Sequence, residues 1–89
     1  MSNVAENVAF DYSTLSEGVK RVLRQEFPQD TISTSEGYNG RVQVKIVSER
    51  FNNMTERQKQ DFIWDLLRNH LPTDVHGISF VLAYGTDEL

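Results

Sequence analysis

The stretch from Met54 to Leu71 constrains this chain more than any other. Thr55 stands three residues before Gln58, a capping-box spacing in which hydroxyl and amide satisfy each other's orphan backbone N–H groups, and Pro72 stops the helix that begins there. Phe62, Ile63, Leu66 and Leu67 fall on one face at helical spacing, while Asp61, Asp65 and Arg68 fall on the other. A stripe this broad must be buried, and the chain's 89 residues leave room for one domain with one small sheet beneath it.

The remaining segments supply that sheet. Residues 1–12 mix small, polar and acidic side chains and read as a flexible tail, with the apolar Val8-Ala9-Phe10 able to pin its end; the folded domain is expected over 13–89. Thr14 and Glu17 have capping-box spacing, and Leu15, Val19, Val22, Leu23 and Phe27 continue a helix to Pro28. The period then changes. Thr31 to Thr34 reads as a strand, residues 35–40 as a turn with glycines and an asparagine suited to positive φ, and Arg41 to Ser48 as a strictly alternating strand. In that strand Val42, Val44 and Ile46 are expected to face the helices. Gly77 to Tyr84 alternates again, with Ile78, Phe80 and Leu82 as the expected inward set and Ser79, Val81 and Ala83 as the outward one. A strand, a crossover helix and another strand in one sheet require the third strand to run parallel to the second. The predicted fold class is α+β, in the order α-β-β-α-β, with two helices on one face of a three-stranded mixed sheet.

Charge and composition narrow the chemistry. Nine basic against 13 acidic residues leave a formal charge of −4, which argues against a domain that holds nucleic acid chiefly through phosphates. No cysteine is present, so thiolate catalysis and cysteine-based zinc sites are excluded. The sequence shows no nucleophile elbow or phosphate-binding glycine loop, and an enzyme is not expected. With no export signal or apolar span visible, a cytoplasmic location is expected. His70 shares the helical angle of Ile63 and Leu66 and reads as a packed histidine near the helix end, where a cation also suits the dipole. By position alone His76, at the mouth of the third strand, reads as structural. Trp64, beside Gln60 and Leu67 at the edge of the apolar stripe, is either edge packing or a partner-binding anchor. Lys20, Arg21 and Arg24 gather on the outer side of the first helix, as a solvated face or as a patch for an acidic partner.

The residues Val44-Lys45-Ile46-Val47-Ser48-Glu49-Arg50-Phe51, the helix carrying Trp64, and Asp74-Val75-His76-Gly77-Ile78-Ser79 together resemble the BolA-like proteins. That family has an IVS-x-x-F motif closing its second strand, a helix with an arginine-histidine-arginine run ahead of a tyrosine, and an HAL-type triplet opening its third strand, on a fold similar to a type II KH domain. The resemblance spans roughly residues 15 to 88. It implies a nonenzymatic adaptor that binds a protein partner, with a monothiol glutaredoxin as that partner. No cofactor is expected on the chain alone, but the resemblance implies a 2Fe-2S cluster shared with the partner, His76 being the metal ligand. His76, Trp64, Lys45 and Arg41 are the implied partner-binding residues, on a monomer or weak dimer. Two departures stand out. Lys59, Gln60 and Asp61 occupy the positions of the family's basic run, and the hairpin offers Tyr38 and Arg41 where a histidine or cysteine ligand stands. The alternatives are a small KH-like nucleic-acid-binding domain, disfavoured by the acidic balance and the lack of a GxxG loop, and an interaction scaffold without metal.

Overall fold

The computed structural model describes residues 9–89. Helix α1 runs Tyr12–Glu26, strand β1 Thr31–Glu36, strand β2 Val42–Val47, helix α2 Glu56–His70 and strand β3 Ile78–Tyr84. The sheet order is β1-β2-β3, with β1 antiparallel and β3 parallel to β2, as the crossover rule requires. Residues 1–8 of the expected tail lie outside the described residues.

Local signals place most of the boundaries. At α2 both arms of the capping box form: Gln58 N–H donates to Thr55 Oγ1 at 3.1 Å, and Thr55 N–H to Gln58 Oε1 at 2.9 Å. The first helix begins earlier than the Thr14–Glu17 spacing suggests. Asp11 is its cap, accepting from the Thr14 hydroxyl at 2.9 Å and lying 3.5 Å from the Thr14 amide, so a carboxylate three residues upstream displaces the threonine from that role. The hairpin turns on Asn39 (φ 62°) and Gly40 (φ 79°).

Both helices and one face of the sheet close over a single core. Leu15, Val19, Val22, Leu23 and Phe27 of the first helical segment meet Val42, Val44 and Ile46 of β2, Ile63 and Leu67 of α2, and Ile78, Val81 and Ala83 of β3. Burial on this scale, at about 25 cal/mol per Å² of apolar surface, is what holds so small a domain together. The Ser48-Glu49-Arg50-Phe51 segment is accounted for by packing. Ser48 is buried and accepts from Arg50 N–H, while Phe51 packs on Phe27, with ring centroids 5.4 Å apart. Arg50 then lies over the Phe27 and Phe62 rings and pairs with Glu26 at 3.0 Å.

Three expectations need correction. In β3 the inward set is Ile78, Val81 and Ala83, whereas Phe80 and Leu82 are 42% and 43% exposed on the opposite face. The cause is an irregularity at the start of the β2–β3 ladder: Val42 pairs with Ile78 but Gln43 with Phe80, so Ser79 is an extra residue and every side chain beyond it changes face. His70 is exposed, because burial at the end of α2 passes to Leu71. Phe62 and Leu66 flank the core half-buried, and the centre of the stripe is Lys59, Ile63 and Leu67.

Candidate functional site

Where α2 ends, Pro72 forces the chain off the helix, and a short 3-10 turn, Asp74–Gly77, leads into β3. Val75 N–H bonds back to Leu71 O at 3.0 Å, and Val75 packs on the core. On the other side Gly77 is buried so tightly that a Cβ there would come within 2.7 Å of Leu15 Cδ1 and 3.1 Å of the Phe10 ring. His76 is therefore held between two anchored neighbours while its own side chain remains exposed. Together with Trp64, Arg68, Pro72 and Val75 it lines a groove of about 600 Å³.

Trp64 is oriented by a relay of side chains. Its Nε1–H donates to Gln60 Oε1 at 2.9 Å, and Gln60 Nε2 donates in turn to Val81 O at 2.8 Å and Glu56 Oε2 at 3.0 Å. Arg68 is paired at the rim with Asp65, at 3.0 Å. The groove thus combines an aromatic wall, a proline, a guanidinium and a free imidazole, the mixture expected where a protein partner buries an anchor.

The other two partner-binding candidates lie elsewhere. Lys45 stands on the open face of the sheet, its Nζ 5.7 Å from the Tyr84 ring centroid, beside the exposed Phe80 and Leu82. That face carries Gln43, Lys45 and Val47 as expected, but Phe80 and Leu82 replace Val81 and Ala83 on it. Arg41 is half-buried, with its guanidinium 5.3 Å above the Phe10 ring and its Nε buried without a hydrogen-bond partner among the described residues. Phe10 is itself fixed, donating its N–H to Asn39 O at 2.8 Å.

Lys59 is the residue that sequence reasoning missed. Only 2% exposed, its Nζ donates to Ala83 O at 3.0 Å and to Glu88 Oε1 at 2.7 Å, with Glu56 Oε1 at 3.4 Å. The hydrogen bond that Lys59 donates to Glu88 holds the Lys59 pKa above its ordinary value despite the opposing effect of burial. Glu88 is lowered in return, first by Lys59 and then by the Gly85 N–H at 2.7 Å. The signal was present: Lys59, Ile63 and Leu67 recur every four residues along one line of the helix.

Among the described residues no three His, Cys, Asp or Glu side chains converge as a metal-binding group. A metal or cluster at His76 would take one imidazole from this chain and its other ligands from elsewhere, and an exposed, unencumbered ring fits that single role. No protein-family model matches the chain, and no curated protein matches it.

Proposed function

We propose that this chain is a nonenzymatic BolA-like adaptor that binds a protein partner through the groove at Trp64 and His76. The observation that carries the reading is the exposed imidazole of His76, held on an anchored turn beside an oriented tryptophan. The partner the resemblance implies is a monothiol glutaredoxin, with His76 contributing one ligand to a shared 2Fe-2S cluster and the thiolates coming from the partner's side. A cytoplasmic adaptor fits this reading. The KH-like nucleic-acid alternative is weakened by Lys59: the one cation left at the positions of the family's basic run is buried and engaged by Glu88, so it is withheld from phosphates.

Mixing the protein with cluster-loaded monothiol glutaredoxin tests the reading. The wild type is expected to change the visible absorption and circular dichroism of the cluster, and His76→Ala to abolish that change while costing less than about 0.5 kcal/mol of stability, since an exposed side chain is deleted. A wild type that leaves the spectrum unchanged, or a variant that behaves like it, would remove the cluster-sharing role. Submicromolar binding to duplex DNA at physiological salt would favour the nucleic-acid alternative instead.

A further inference from the structure

The two outer edges of the sheet are treated differently. Along β3 the outward carbonyls of Val81 and Ala83 accept from Gln60 Nε2 at 2.8 Å and Lys59 Nζ at 3.0 Å. Along β1 the pattern is the reverse. Gly37 N–H bonds to Arg41 O at 2.7 Å, and β1 continues that register with Ser35 opposite Gln43 and Ser33 opposite Lys45. In an antiparallel ladder the bonded pairs alternate, so Thr31, Ser33 and Ser35 bond to β2 while the N–H and C=O groups of Ile32, Thr34 and Glu36 point away from the sheet. Among the described residues no hydrogen bond reaches them.

Beside this bare edge lies a groove of about 340 Å³ lined by Glu17, Lys20, Arg21, Arg24 and Ile32. Arg50, Arg57, Lys59 and Arg68 are each paired with a carboxylate; among the described residues Arg41 and Lys45 stand singly without one, whereas Lys20, Arg21 and Arg24 lack one as a group. Arg24 is also pre-positioned. Its Nη1 donates to the carbonyls of Phe27 at 3.1 Å, Pro28 at 3.2 Å and Asp30 at 2.8 Å, which fixes the guanidinium at the entrance to β1. In a chain of net charge −4, three cations without carboxylate partners among the described residues thus collect beside a strand whose outward backbone groups are unused there.

We infer that this edge is a docking site for an extended acidic peptide, which adds to β1 as a fourth strand. Backbone hydrogen bonds to Ile32, Thr34 and Glu36 would supply the register. Side chains of an added strand alternate between faces, so every second residue lies on the helix side, where carboxylates meet Lys20, Arg21 and Arg24. The intervening residues lie beside Thr31, Ser33 and Ser35 and are polar. A nucleic acid fits less well, because the groove has no aromatic ring on which a base would stack and it carries Glu17 on its wall. The site shares no residue with the groove at His76 and stands whether or not that reading holds.

The test is fluorescence anisotropy with the full chain and a labelled peptide alternating Glu and Thr, followed by mapping of amide shifts by NMR. Saturable binding is expected, with the largest shifts at the amides of Ile32, Thr34 and Glu36. Lys20→Glu combined with Arg21→Glu is expected to weaken it about tenfold or more. N-methylation of alternate peptide amides should abolish it in one register only. Both substituted residues are exposed, and an unchanged far-ultraviolet spectrum and melting curve would show that the variant is folded. Absence of binding at millimolar peptide, indifference to the charge reversal, or tighter binding of a single-stranded oligonucleotide of equal charge would each overturn the proposal.

Discussion

The β1 and β3 edges present the same backbone problem, a row of outward peptide groups, and solve it with different materials. At β3 the helix above supplies donors, a buried ammonium and an amide, that reach down onto the carbonyls. At β1 a strand of Thr, Ser and Glu residues around the single Ile32 is left to water, with its outward peptide groups open to a partner. A capped edge contributes to stability and is closed to partners, while a solvated edge contributes less and remains available.

Proline substitutions give the sharpest contrast. Ser33→Pro removes an amide that bonds to β2 and is expected to cost about 3 kcal/mol or more in chemical denaturation. Thr34→Pro removes an amide directed to solvent and breaks one side-chain bond, Tyr12 Oη to Thr34 Oγ1 at 2.8 Å, for a loss of about 1 kcal/mol. Equal losses would show that the bonded residues of β1 are not Thr31, Ser33 and Ser35.

Lys59→Met comes between these two. The methionine fills much of the space, but Ala83 O loses its donor, and about 2 kcal/mol should be lost at neutral pH. Glu88 is lowered from its ordinary value of 4.5, so the pair's contribution is present above that value and disappears as pH falls through the lowered one. Lys59 is raised from 10.5, so the contribution is present below that pH and is lost as alkali carries the solution through the raised value. The difference between wild type and variant should therefore be greatest in the intervening range and shrink at both ends. A difference that is independent of pH would mean that packing alone holds the 3-10 turn Thr86–Glu88.

An effect as small as that of Thr34→Pro is expected from Arg50→Ala. Arg50 pairs with Glu26 at the surface and covers two rings, and its removal should cost about 1 kcal/mol without altering peptide binding at the β1 edge. Loss of that binding in this variant would mean that Arg50, stacked on Phe27, helps to hold the carbonyls on which Arg24 is positioned.

Periodicity made the two helices, the hairpin and the parallel third strand legible, because each rests on signals within a few residues. Ser79 was not legible. Its side chain donates to Val42 O at 3.3 Å within an irregular ladder, a pairing between strands far apart in sequence, and the alternation of β3 changes face there without any local mark. Lys59 was overlooked because lysine is almost never buried unless paired, and its partner Glu88 is 29 residues away. Trp64 and His76 were each singled out, but their meeting in one groove depends on how the chain turns after Pro72. Lys45 and Arg41 were grouped with them by resemblance, and the fold puts Lys45 on the open face of the sheet and Arg41 against Phe10.

Phe10 ties the hairpin tip to the turn before β3. Its N–H reaches Asn39 O, its ring lies under Arg41, and its flank fills the space that a side chain at Gly77 would need, while a Cβ at Gly40 would run into its carbonyl oxygen. The seat for this residue is complete only when the hairpin tip and the turn before β3 are together, and Phe10 is therefore expected to lock late. Its amide should acquire protection from hydrogen exchange later in refolding than the amides of β2, and would serve as a clock for the completed domain.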